Sequence, residues 1–430
     1  MSCVDRLPLR AAAIAVLSIA WLANPTSSSA PAPLDVPGRS DQTPWVAASG
    51  SFVAVAWGAS AAGKADVFLA VSRDGGDTFG QPVQVNRIAG EARLGGELPP
   101  RVALVARRES PTPEIVVTWT ARGDTTAIKT ARSRDGGSTF ADPVVMQAPG
   151  AIGDRGWPAM TVDHRAAVHA IWLDHRGLAA RRAAGAAPAA HTPGVQHDGA
   201  AMAQHSGLYY ASVGGSRPAE RELATGVCYC CKTALAAGPD GTLFAAWRHV
   251  YPGNLRDMAF ASSRDGGRTF SAPARVHEDR WAVNGCPDDG PALGVDPKGT
   301  AHLVWPTVID GPQPEGAVFY ASTRDGRQFT PPVRVPTLGG PKPSHPQIVV
   351  DRRGRTFVAW DESVDGRRVA ALREVTRQPG RSPAFGDIVR LSTDGAAVYP
   401  VLAATDAGLV AVWTTGGEDA RVERRIIRMP

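Results

Sequence analysis

This chain predicts an all-β propeller of seven blades, on two repeats that run in phase. The first is a turn phrase in four copies: Ser72-Arg-Asp-Gly-Gly-Asp-Thr-Phe79, Ser133-Arg-Asp-Gly-Gly-Ser-Thr-Phe140, Ser263-Arg-Asp-Gly-Gly-Arg-Thr-Phe270 and the worn Thr323-Arg-Asp-Gly-Arg-Gln-Phe329. Its aspartates, Asp74, Asp135, Asp265 and Asp325, stand 61, 130 and 60 residues apart. The middle gap is about two periods, so one copy has decayed. A unit of roughly 60 residues is too long for a helical pair and suits a four-stranded blade with generous loops.

The second repeat is a β-rich segment ending in tryptophan. It occurs seven times, closing on Trp57, Trp119, Trp172, Trp247, Trp305, Trp360 and Trp413. A strand with its own turn signal precedes most copies, as in Ala292-Leu-Gly-Val-Asp-Pro-Lys-Gly299. Each blade therefore reads as inner strand, Asp/Gly turn, Trp strand, loop, third strand, turn phrase, outer strand. Seven Trp strands imply seven blades; six blades with one decorative repeat is the competing count.

The turn phrase has a physical reading. Each copy joins two apolar stretches, such as Asp66-Val-Phe-Leu-Ala-Val71 and Gln81-Pro-Val-Gln-Val85. The aspartate can accept hydrogen bonds from backbone N–H groups of the turn. The glycines supply positive φ, and the closing Phe plugs the turn against the blade. The phrase resembles the Asp box, Ser-x-Asp-x-Gly-x-Thr-Phe/Trp, of the sialidase (BNR-repeat) superfamily, across nearly all of residues 40–420. The resemblance implies a propeller and speaks weakly for activity, because the box is a structural turn.

Ring closure follows from the ends. Arg421-Val-Glu-Arg-Arg-Ile-Ile-Arg428 reads as a third strand with no fourth after it. Ala32-Pro-Leu-Asp-Val36 resembles the outer-strand phrase, so the N-terminal side is expected to complete the last blade and cover its edge. Residues 1–30 read as a secretory signal: Arg6 and Arg10, an apolar run from Ala11 to Ala23, then small residues. The run is too short for a comfortable membrane span. Residues 31–430 are then one propeller domain, with a loop insertion at about 177–206 that could act as a lid. A secreted or periplasmic monomer is expected.

The formal net charge is +5. It is carried largely by scattered arginines, with no basic run interleaved with aromatics, so nucleic acid is a poor guess. Anionic small ligands and glycans remain, since arginine on a concave face suits a carboxylate or sulfate.

Strand phase sorts the loops. The Asp boxes and inner-strand turns share one end of the barrel. Reactive residue types crowd the other. Loops leading into inner strands hold Arg101, Arg155 with Trp157, Cys228-Tyr-Cys-Cys231, Trp281 with Cys286-Pro-Asp-Asp289, His345 and Tyr399. Loops leaving Trp strands hold Asp174-His-Arg176, Arg248-His249 with Tyr251, Arg256 with Asp257, Asp310, and Asp361-Glu362.

Sialidases use three arginines on the sugar carboxylate, an Asp acid/base and a Tyr–Glu nucleophile pair. Their Arg-Ile-Pro phrase is absent here; the nearest is Pro99-Pro-Arg-Val102, one blade late. By face alone, the stand-ins are Arg101, Arg155, Arg248 and Arg256 for the clamp. Tyr399 with Glu362 would be the nucleophile pair and Asp174 or Asp257 the acid, with Tyr251 nearby. On this reading the protein recognises glycans and is an exo-glycosidase of exo-α-sialidase type on acidic sugars.

The cysteines are what that pattern does not explain. Cys228, Cys230, Cys231 and Cys286 sit in loops leading into adjacent blades. They read either as two disulfides or as a copper or zinc site with His249 and His277, although no cofactor is expected from the rest of the chain. A redox role is the third reading. A non-catalytic binding module centred there is one alternative function, and a protein–protein scaffold another.

Overall fold

The structure is a computed structural model. It describes residues 34–429 apart from 186–198, 215–218, 284, 286, 379–380 and 394. Seven antiparallel sheets form seven blades. Their inner strands are Ser40–Ser49, Arg101–Arg107, Arg155–Val162, Ala234–Ala237, Ala292–Val295, Ser344–Val350 and Ala397–Thr405. Each inner strand touches the next, and the last touches the first, so the ring is closed.

Every repeat tryptophan lies in the second strand of its blade and is at most 1% exposed. These rings fill the space between neighbouring sheets, where apolar side chains of two blades form shared clusters. Fully burying a side chain of that size is worth several kcal/mol, about 3–5 on truncation to alanine. The Asp boxes are the turns the sequence predicts. In the first, Asp74 Oδ1 accepts from the Ser72 hydroxyl at 2.6 Å and from the Thr78 N–H at 2.9 Å. The same bonds recur at Asp135 and Asp265, while Asp325 accepts from the N–H groups of Arg327 and Gln328. Phe79, Phe140, Phe270 and Phe329 pack into the clusters as plugs.

Blade 3, between the second and third surviving boxes, pairs its four strands without one. That is the decayed copy. Blade 7 contributes three strands, and Leu34 pairs antiparallel with Val422, its N–H donating to the Val422 carbonyl at 2.7 Å. The expected N-terminal signal lies outside the described residues. The insertion carries two short helices, α1 (Arg176–Ala183) and α2 (Gly199–Gln204), which the reading of it as a loop did not include. Among the described residues, no helix is long and apolar enough to cross a membrane.

Candidate functional site

Four inner strands begin at the channel mouth in the same unusual way. Thr43, Trp157, His345 and Tyr399 each precede a proline, and each has left-handed backbone, with φ of 53, 52, 53 and 55°. Side chains of this bulk rarely adopt it, at a cost of about 1–3 kcal/mol each. Strand register slips at or opposite each point, so these are bulges that re-aim a side chain.

Neighbouring blades hold three of the bulges. The Thr43 N–H donates to the Thr414 hydroxyl at 3.0 Å, and the His345 N–H to both oxygens of Asp289 at 3.1 Å. The Tyr399 N–H donates to Asp361 Oδ2 at 2.8 Å. In every case the acceptor belongs to the preceding blade of the ring.

Asp361, the residue after Trp360, is the hub. It is fully buried, and its Oδ2 also accepts from His345 Nδ1 at 2.8 Å, while Arg368 pairs with Oδ1. A carboxylate at Nδ1 fixes the proton there and leaves Nε2 as the acceptor. Burial lowers the His345 pKa below its ordinary range, against the opposing charges of Asp289 and Glu97, so the ring is neutral near pH 7. The Tyr399 ring lies against it, centroids 4.1 Å apart. Burial, then the charges of Glu97, Asp288 and Asp289, pushes the phenol up to about 12, which keeps it a proton donor. Gly96 makes this position possible, because a Cβ there would overlap the Tyr399 hydroxyl.

Glu97 and Lys232 complete the mouth as a buried pair, 3.0 Å apart and each 3% exposed. Gly290 N–H donates to the second Glu97 oxygen at 2.9 Å, and Lys232 Nζ to the Pro346 carbonyl at 3.2 Å. A small cleft brings Thr43, Glu97, Lys232, His345 and Tyr399 to one surface. Beneath it, a cavity of about 80 Å³ runs into the channel between Trp45, Arg101 and Gln347. A neutral imidazole acceptor beside a phenol donor, both held rigidly, is an acid–base pair.

The cysteine cluster sits beside this mouth. Cys228, Cys230 and Cys231 are buried beneath Met202 of α2, and their sulfurs lie within 4.8 Å of one another, close enough that the cluster could bind a metal. Two features oppose a cation. Cys230 is disulfide-bonded, and the Arg256 guanidinium donates to Cys228 Sγ at 3.2 Å. Cys228 and Cys231 are free thiols, so the pairing of all four cysteines into two disulfides is not what forms; Cys286 lies outside the described residues. Neither expected histidine joins the sulfurs: His277 pairs with Asp279 at 2.7 Å, and His249 packs on Tyr251.

The other sequence-predicted residues do not converge on one surface. Arg101 lies 3.6 Å over the Trp45 ring and donates to the Pro158 carbonyl; burial draws its pKa down to about 9. Arg155 is buried against Asp174 at 3.0 Å, and Arg176 takes the rest of that carboxylate. Arg248 serves the carbonyls of Asp289, Arg256 and Pro306. Asp257 is buried on Arg275, which also stacks on Tyr251. Glu362 accepts from Trp360 Nε1 at 2.7 Å and from the Gly340 N–H at 2.6 Å. Each is a support within a blade or between two, because a charge in a dry interface must be paired. Tyr399 alone of that set reaches the mouth cleft. Asp361 and His345 were visible as loop residues; Glu97, Lys232 and Arg368 were missed. The recurring residue-before-proline at the head of inner strands was the signal that would have found the bulges.

No family model matches the chain, and no curated protein does. Solved structures do match. Polysaccharide lyase Uly1 superposes with a TM-score of 0.53 at 11% identity, covering 90% of each chain. The chain has a sialidase-like propeller fold. The Hadza microbial sialidase Hz136 matches with a TM-score of 0.50 at 15% identity, over 86% of this chain and 74% of that one. An α-L-arabinanase of Penicillium chrysogenum, complexed with arabinobiose, gives 0.50 at 12% identity over 94% and 98%. At these identities the likeness is one of fold.

Proposed function

We propose that this is a glycan-acting propeller whose reaction centre is the channel mouth. His345 Nε2 accepts a proton, Tyr399 donates one, and Asp361 orients both. The observation that carries the reading is the Asp361–His345 bond with Tyr399 packed on the same ring, at two strained positions of adjacent blades. The matched lyase, sialidase and arabinanase support a glycan as the substrate class.

An exo-glycosidase on an acidic sugar is the narrower reading. Tyr399 favours it, as the residue type that sialidases use as nucleophile. The arginines oppose it, since Arg155, Arg248 and Arg256 are fully buried. The rim also holds more carboxylates (Glu97, Asp288, Asp289, Asp361) than cations. A neutral or weakly charged glycan fits that rim better. Export of a monomer through the 1–30 segment agrees with a disulfide at Cys230 and with the Leu34 bridge that covers the last blade.

The test is a panel of neutral, uronic-acid and sialic-acid glycans incubated with the protein, with products read by mass spectrometry. Cleavage of at least one glycan, lost in Tyr399→Phe and His345→Gln, is expected. Cleavage unchanged in both variants overturns the reading.

A further inference from the structure

Arg248 and Arg256 are fully buried, and among the described residues neither has a carboxylate partner. Arg248 is satisfied by carbonyls. Arg256 is not: Nε donates to the Val283 carbonyl at 3.3 Å, Nη1 to Cys228 Sγ at 3.2 Å, and among the described residues Nη2 has no partner. A buried guanidinium keeps its charge and requires an anion nearby. The group in contact is the Cys228 sulfur.

Cys231 stands three residues on, across a turn, and its thiol points at Cys228 with the two sulfurs 3.5 Å apart. A disulfide needs about 2.05 Å, so a closing movement of roughly 1.5 Å joins them. The hydrogen bond from Cys231 lowers the Cys228 pKa, and Arg256 and Arg248 lower it further against burial. Burial and the Cys228 neighbour raise Cys231. One sulfur is thus a nucleophile and the other a protonated resolving thiol.

The orphaned Nη2 marks where a small polar reactant binds. It shares the guanidinium fork with the nitrogen already on Cys228, so a molecule bonded to it lies beside the sulfur. Space there is tight: a Cβ on Gly199 would stand 2.7 Å from Nη2. Helices α1 and α2 cover the cluster through Leu178, Ala200 and Met202. Such tightness excludes a bulky disulfide and restricts any reactant to about the size of water.

We propose that Cys228, Cys231 and Arg256 form a hydroperoxide-reducing dithiol site, separate from the mouth chemistry. Cys228 thiolate attacks one peroxide oxygen; the O–O bond breaks, Cys228 becomes a sulfenic acid and hydroxide leaves. The Cys231 sulfur then attacks Cys228 Sγ, a Cys228–Cys231 disulfide forms, and the displaced hydroxyl leaves as water with the Cys231 proton. Two thiols lose two electrons and one peroxide becomes two waters. An external thiol must reduce the disulfide for a second turn.

Hydrogen peroxide added to the purified chain tests this, with thiol counting, peptide mapping and dimedone trapping. One equivalent should consume two thiols and yield the Cys228–Cys231 disulfide. Cys231→Ser should trap a dimedone adduct on Cys228. Arg256→Met should slow thiol loss at neutral pH about twofold or more, because removing an adjacent opposite charge raises the thiol pKa by about one unit or more. Thermal melts check that each variant folds; if Cys231→Ser does not, wild-type kinetics and mapping decide. Thiol loss no faster than that of free cysteine, unlinked sulfinic acids, or a stoichiometric metal on these sulfurs in the purified protein would each overturn the proposal.

Discussion

The two ends of the propeller use the same three residue types to opposite effect. At the turn end, His302 has both ring nitrogens engaged: Nδ1 with the Tyr320 hydroxyl at 2.7 Å, Nε2 with Asp296 at 3.4 Å. At the mouth, His345 gives Nδ1 to Asp361, and the neighbouring tyrosine lies against its ring instead of capping Nε2. Among the described residues, ten non-glycine residues have left-handed backbone, and all but Ala166 belong to mouth-side segments. Residue type therefore does not mark the working end. What sets the mouth apart is the bulky left-handed residue before proline at four inner strands.

The largest effect should come from the mouth. His345→Gln and Tyr399→Phe are expected to cut turnover of a cleaved glycan about a hundredfold or more. Their melting temperatures should stay close to wild type. Because the His345 pKa is lowered, the acidic limb of the rate profile should fall below the ordinary histidine value of about 6.5. A limb at higher pH would remove His345 as the base.

Next comes the packing both ends share. Trp305 is fully buried and its Nε1 donates to Asp279 at 2.7 Å. Trp305→Ala should cost about 3–5 kcal/mol in denaturant unfolding. A loss under 1 kcal/mol would mean that the Trp repeat is not what holds the blades.

The turn-end histidine should appear in stability and not in rate. Burial, then the Arg377 charge, draws the His302 pKa down to about 4 against Asp296. The folded state binds that proton more weakly than the unfolded chain. Its contribution is therefore complete above about pH 6.5 and is lost as pH falls toward 4, by up to about 3 kcal/mol. His302→Gln should flatten this part of the curve, and an unchanged slope would sink the assignment.

The smallest effect belongs to a single Asp box. Asp135 is an exposed turn carboxylate drawn down to about 2, chiefly by the Thr139 hydroxyl and N–H. Asp135→Ala should cost about 1 kcal/mol after solvent screening. Glycan turnover should not change.

The fold was legible because propeller repeats write themselves into the chain. Each Trp and each Asp box is dictated by its own blade, and period alone orders them. The mouth was legible only in part, because its geometry comes from several blades at once. Tyr399 and His345 could be placed by face. That Asp361 would bind both, or that Glu97 would meet Lys232 across 135 positions of sequence, is written in no local pattern. The arginines misled for a related reason. Arg155, Arg248 and Arg256 sit at strand ends facing the mouth in sequence, yet each turns into the seam between blades, where buried carbonyls, a carboxylate and a sulfur need a cation. The cysteines were visible as an anomaly, and only the contact with Arg256 says which one is the anion.

The most direct measurement is the initial rate of glycan-panel cleavage by wild type, His345→Gln and Asp135→Ala, run side by side. The mouth account predicts that His345→Gln lowers the wild-type rate about a hundredfold or more while Asp135→Ala retains it. A full rate in His345→Gln, or a rate lost only in Asp135→Ala, would contradict it.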